Sequence, residues 1–136
     1  MTVSINTEGR GGVFTVDVTG ANNVNAGGLG AVANPEGATL LITRATWRVI
    51  THSTGAANVG IGIAANGSTK ATDILNDLAA GGAIDDKVYN GHVMQNGAKT
   101  EITAPALWTS TTYLTFTGSA DTSGLTARLY LEYIRL

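Results

Sequence analysis

The residues able to do chemistry are few and widely spaced. His52 and His92 are the only two histidines, each in a turn-like stretch with no second histidine at HxH or HxxxH spacing, so neither has a neighbour with which to ligate a metal. Asp73 and Asp77 stand one helical turn apart and could act as a carboxylate pair, but like charges at that spacing repel mildly, and a solvated helix face accounts for them. Asp85-Asp86-Lys87 lacks the ligand ladder, central glycine and terminal Glu of a calcium loop, and reads as a polar turn. The run GGLG at 27–30 does not join a strand to a helix, as a phosphate loop must. There is no GxSxG elbow and no Ser–His–Asp order. With no cysteine in the chain, thiolate metal sites, thiol nucleophiles and disulfides are all excluded. Asn66-Gly67-Ser68 is a glycosylation acceptor only in a secreted protein. Trp47 and Trp108 could offer a stacking platform to a sugar, yet both sit in apolar strand contexts that favour a core or interface role. The expectation is a protein with no catalytic, cofactor-binding or metal-binding residue, hence not an enzyme.

The elements that would position these residues are mostly strands. Residues 1–12 read as an N-terminal arm with a flexible joint at Arg10 to Gly12, followed by one domain over 13–136. Residues 12–19 alternate, with Val13, Phe14, Val16 and Val18 largely on one face and Thr15, Asp17 and Thr19 opposite. Residues 20–37 are too rich in Gly and Asn for an ordered element and too long for an ordinary connection; such loops are usually functional. Residues 38–50 form the strongest strand, and strict alternation puts Leu41, Thr43, Ala45, Trp47 and Val49 on one face. In 57–65, Gly60 and Gly62 alternate with Val59, Ile61 and Ile63, which suggests a close approach by another element. Residues 68–81 carry Ala71, Ile74, Leu75, Leu78 and Ala79 at helical spacing, with Ser68 or Thr69 as N-cap and Gly81 as C-cap, and predict a three-turn helix over one open end of the fold. Asn90-Gly91 and Asn96-Gly97 are tight-turn signals. Pro105 interrupts the apolar run 100–108, residues 113–118 alternate again, and 125–136 form the last strand. The fold class expected is all-β and mainly antiparallel, a β-sandwich of jelly-roll type with one short helix.

In the last strand Leu125, Ala127, Leu129, Leu131 and Tyr133 share the core face. Tyr130, Ile134 and Leu136 lie on the other face, where leaving each wet forgoes roughly 1.5–3 kcal/mol. A cover is expected for them: the N-terminal arm, the 20–37 loop or another copy of the chain.

Composition narrows the classes further. Apolar residues make up 43% of the chain and charged ones only 13%, about half the usual charged share. That balance argues against a disordered chain, and equally against a freely diffusing protein with a heavily charged surface. The net charge of −2, with Lys and Arg scattered, offers no basic patch for nucleic acid or anionic membranes. The first residues lack the regions of a signal peptide, and no run approaches the roughly 20 apolar residues of a span. Synthesis and folding in the cytoplasm are therefore expected.

At NPEGATLLITRATWRV (34–49), STGAANVGIGIAANGSTKATDILN (53–76), APALWTSTTYLTFTGSA (104–120) and LTARLYLEYIRL (125–136), the chain resembles small virion proteins of tailed bacteriophages, the head decoration or cement class above all. The resemblance implies a small β fold without catalytic residues. It further implies a homo-oligomer, a trimer, bound to the major capsid protein at three-fold or quasi-three-fold points of the outer capsid. On that reading Met1, Val3, Ile5 and Arg10 of the arm, Val24, Leu29 and Val32 of the long loop, and Tyr130, Ile134 and Leu136 of the last strand form the subunit and capsid interface. The alternatives are another virion accessory (head fibre, tail or baseplate component) and a carbohydrate-binding jelly roll using Trp47, Trp108 or Tyr130.

Overall fold

A computed structural model describes residues 11–82, 84–91 and 106–136. Nine strands run in chain order: β1 (Gly11–Thr19), β2 (Gly30–Ala33), β3 (Leu40–Thr51), β4 (Asn58–Ala64), β5 (Leu75–Ala79), β6 (Val88–Gly91), β7 (Ala106–Trp108), β8 (Tyr113–Gly118) and β9 (Thr126–Arg135). They form two antiparallel sheets. One has the order β1-β9-β3-β6 with β7 also on β3, and the other the order β2-β8-β4-β5. The chain passes back and forth between the sheets, so the first and last strands pair with each other. This is the connectivity of a jelly roll, and the expected β-sandwich is what forms.

The core lies between the sheets. The side chains of Leu40, Ile42, Ala45, Trp47, Val49, Val59, Ile61, Leu114, Phe116, Leu129 and Leu131 are all buried there. Trp108 is fully buried, donates its indole N–H to the Thr112 carbonyl at 3.1 Å, and meets the edge of Phe14 at 5.7 Å between ring centroids. Both tryptophans are thus core residues, which removes them as sugar platforms.

Several expectations are corrected. Strict alternation along β3 fails because Thr43 is an extra residue: the pairing with β9 slips between Ile42 and Arg44. Leu40 and Ile42 point inward before this bulge and Ala45, Trp47 and Val49 after it. A bulge resets a two-residue period by one. Val13 is exposed and lies opposite the face of Phe14, Val16 and Val18, as direct adjacency to Phe14 in a strand requires. Gly11 and Gly12, expected in a flexible joint, already pair with Ile134 and Tyr133 in β1. Asn90 and Gly91 form no turn; they pair with Thr46 and Ala45 inside β6. The turn expected at Asn96-Gly97 and the strand start at residues 100–105 lie outside the described residues.

The largest correction is at 68–81, where no helix forms. Among the described residues there is no helix. β5 pairs with β4 instead, Val59 opposite Leu78 and Ile61 opposite Leu75, so β5 holds one residue more than its partner over the same span. Asp77 sits there at φ 55°, a left-handed conformation that Asp tolerates better than most residues. This bulge puts inward-facing Leu75 and Leu78 three residues apart, a spacing that imitates a helix. Asp73 and Asp77 have separate partners: Asp73 accepts the Ile63 backbone N–H at 2.8 Å, and Asp77 binds Lys70 at 3.1 Å.

The stretch before β5 is also what covers the glycine face of β4. A Cβ built on Gly62 would fall 2.2 Å from Asp73 Oδ1 and 2.5 Å from the Ala71 carbonyl carbon. The close approach expected from the glycine alternation is present, made by residues outside any strand.

The long 20–37 connection is ordered and contains β2, contrary to expectation. Gly27, at φ 71°, donates its N–H to Thr117 Oγ1 at 2.9 Å. Asn34 ties the next turn down: its amide donates to the carbonyls of Ala38 and Trp108, both at 2.9 Å, and its oxygen accepts from Glu36 N–H at 2.9 Å and Gly37 N–H at 3.1 Å.

Candidate docking surface

The outward faces of the two sheets differ. That of the four-stranded sheet is roofed by the chain itself: Gly60 and Gly62 lie under residues 70–73, and Thr115 and Thr117 are buried, Thr115 Oγ1 donating to the Gly62 carbonyl at 3.3 Å. The outward face of the five-stranded sheet has no such roof among the described residues. Register places Gly11, Ile134, Leu41 and Leu107 in one row across β1, β9, β3 and β7. The next row is Val13, Glu132 and Arg44, then Thr15, Tyr130 and Thr46, then Asp17, Arg128, Arg48 and Val88.

Seven large apolar residues are prominently exposed among the described residues. Five of them, Val13, Val88, Leu107, Ile134 and Leu136, belong to this face and are 43–61% exposed. Leu107 and Ile134 share one row with Leu41, Val13 lies in the next row, and Val88 stands at the other end; apolar surface grouped as at the first end marks contact sites. Tyr130 is half-buried beside them, in a shallow, open depression of roughly 380 Å³ that it lines with Val13, Arg44, Thr46 and Glu132. The polar groups of the face are internally neutralised. Arg128 Nε meets Asp17 at 2.5 Å, Arg44 meets Glu132 at 3.4 Å, and Arg48 meets Asp86 at 2.8 Å. Three arginines against three carboxylates leave no surplus charge for a phosphate backbone or an anionic bilayer. The Arg128 hydrogen bond also holds the Asp17 carboxyl below its ordinary range and raises Arg128 in return.

The expected interface residues separate into three groups. Tyr130, Ile134 and Leu136 come together on this face. Leu29 and Val32 do not join them; they pack against the core from the β2 side. Val24 is exposed on the loop between β1 and β2, apart from the face. Met1, Val3, Ile5 and Arg10 lie outside the described residues. Reading the sequence missed Val13, Leu41 and Leu107, because only strand order and register bring them near Ile134, and it missed Val88, which register places at the far end of the same face.

The remaining titratable candidates have structural partners. His52 donates its backbone N–H to Asp85 Oδ1 at 2.8 Å, with its ring Nδ1 at 2.6 Å from the same oxygen. The backbone hydrogen bond chiefly, and then the side-chain one, lower the Asp85 carboxyl. His92 lies outside the described residues, and no group of three or more His, Asp or Glu gathers as a metal site among those described.

The lowered carboxyls set an acid response. A carboxyl whose folded value lies below the unfolded ~3.9 contributes stability above that pH, and the contribution is lost as pH falls through the folded value. Asp17, Asp85 and Asp121 are all lowered. Thermal unfolding followed by circular dichroism should therefore show the midpoint dropping below about pH 4. Asp85→Asn should flatten that drop while lowering the midpoint slightly at neutral pH. An identical pH profile in the variant would remove Asp85 from the explanation.

No family model, curated protein or solved structure matches this chain.

Proposed function

We propose that this chain is a non-catalytic virion structural protein of the head-decoration kind, seating the outward face of its five-stranded sheet on the lattice formed by a major capsid protein. The observation that carries the reading is that five exposed apolar residues lie on the sheet face that no described residue roofs, among charges that cancel. A neutral, flat, partly apolar surface suits a flat protein partner. A repeating lattice multiplies modest contacts through avidity, so a shallow face without a deep pocket suffices. Jelly rolls recur in viral capsid and lectin domains, a fold-level analogy that raises the prior without choosing between them.

The test uses heads of the encoding virus prepared without this protein. Purified protein should pellet with the heads and raise their heat tolerance. The double variant Leu107→Glu/Ile134→Glu should melt as the parent does and bind about tenfold or more weakly, since each lost apolar contact is worth on the order of 1 kcal/mol. Equal pelleting of parent and variant would discard the face, and a parent that ignores heads but is found in tails would move the protein to another virion site.

A second reading, a carbohydrate-binding module, rests on the depression beside Tyr130 alone, since Trp47 and Trp108 are buried. It requires glycan binding that Tyr130→Ala abolishes.

A further inference from the structure

Among the described residues β1 pairs on one side only, with β9. Gly20 N–H donates to the Leu125 carbonyl at 2.8 Å, and Leu136 N–H donates to the Thr39 carbonyl at 2.9 Å. The first bond turns even-numbered residues of the first strand toward β9. The second turns even-numbered residues of β9 toward β3, which leaves its odd-numbered ones for β1, in agreement. By alternation, the backbone N–H and C=O groups of Gly11, Val13, Thr15, Asp17 and Thr19 point away from the sheet. None of these groups has a backbone partner among the described residues.

No described residue covers this edge, and Asp17 is its one charge. β1 is nine residues long, against three to five for the other edge strands β2, β5, β6 and β7. It holds no Lys, Arg or Pro, and its pairing with β9 is unbroken by a bulge. Edges of monomers are normally blunted by one of those devices.

The sequence GGVFTVDVT selects the partner. We infer that two copies pair antiparallel through β1, about a two-fold axis at Thr15, joining their five-stranded sheets into one. In that register Thr15 faces its own counterpart, Val13 faces Asp17 of the other copy, and Gly11 faces Thr19. All the outward backbone groups are then satisfied. On the inner side Phe14 faces Val16 twice over. These two residues point toward the core yet stay only half-buried, because the sandwich is open along β1; the second copy closes that opening. An aromatic opposite a β-branched residue is a favourable cross-strand pair, as is Thr opposite Thr. Asp17 meets no second Asp and keeps its Arg128 partner. A two-fold axis perpendicular to the sheet leaves both outward faces on the same side, although the pairing does not depend on the function proposed for that face.

Light scattering on a size-exclusion column tests the state, and charge at the axis tests the register. The parent should run at twice the chain mass. Thr15 is exposed, so Thr15→Lys and Thr15→Glu should keep the parent's circular dichroism, their melting midpoints falling only by what the weaker association removes. Each alone places like charges directly opposite and should dimerise about tenfold more weakly. Mixed in equal amounts, the two variants should recover the dimer as a heterodimer. A monomeric parent overturns the inference, as does a trimer, which would instead match the closed ring that the bacteriophage resemblance implies. Dimers that persist in both single variants, or that fail to return in the mixture, overturn the Thr15 register.

Discussion

Gly62→Ala is expected to destabilise the protein by about 3 kcal/mol or more, toward the upper end of what overpacking costs. The added carbon would fall 2.2 Å from Asp73 Oδ1, 2.5 Å from the Ala71 carbonyl carbon and 2.6 Å from the Thr72 nitrogen. Two of those atoms are backbone, so relief requires the whole 70–73 segment to lift. Lifting it breaks the bond from Ile63 N–H to Asp73 and draws the start of β5 away from β4, where Ile74 N–H donates to the Ile61 carbonyl at 3.1 Å. Gly60 is the internal control. Its added carbon would meet only side-chain atoms, the nearest being Asp77 Oδ1 at 3.1 Å and Lys70 Cε at 3.2 Å. Those ends can swing outward, so Gly60→Ala should cost less than about 1 kcal/mol. Urea unfolding of the two variants side by side measures the contrast. Equal losses would mean the 70–73 roof is not held against β4.

Trp108→Ala should cost about 3–5 kcal/mol, the range for removing a buried large aromatic, out of a total that for such a domain is about 5–15 kcal/mol. Trp108 fills the core, supports Phe14 at the open β1 side, and donates to the Thr112 carbonyl in the turn before β8. Its own carbonyl accepts from Asn34, which anchors the turn before β3. A single residue thus ties β7 to two turns and to the first strand. Trp108→Phe keeps most of the packing but leaves the Thr112 carbonyl without its donor, so a loss nearer 1–2 kcal/mol is expected. If the alanine and phenylalanine variants unfold at the same denaturant concentration, the hydrogen bond and not the packing dominates at this site.

The parts of this fold that could be read from the chain are those where burial repeats every second residue without interruption. β9 is the best case, with Ala127, Leu129 and Leu131 inward and Tyr130 and Ile134 outward as its pattern demands. The glycine face of β4 was legible for a related reason, since two missing side chains on one face have few explanations. Where a bulge intervened, the reading failed. Thr43 carries no mark of its own as a bulged residue, because the slip is decided by β9 across the sheet; its hydroxyl donates to the Glu132 carbonyl at 3.2 Å. At 74–80 the bulge at Asp77 turned a strand period into an apparent helical one, and pairing with β4 overrode local propensity. Half of the candidate surface was legible, the half on β9. The other half depends on Leu107 landing opposite Leu41, and a three-residue strand paired across more than sixty residues of sequence leaves no local signal of its register.

The placement of β9 between β1 and β3 has a consequence for synthesis. The larger sheet cannot be completed until β9 has left the ribosome, because β1 and β3, made well before it, touch it rather than each other. Contacts that join distant parts of a chain form slowly. Throughout that wait β1 and β3 each present an open edge, on a polypeptide with little charge to keep neighbours apart. Several nascent copies on one messenger would hold the same sticky edges within reach of one another, so yield should depend on how soon β9 follows β1 and β3 out of the ribosome rather than on how stable the finished fold is.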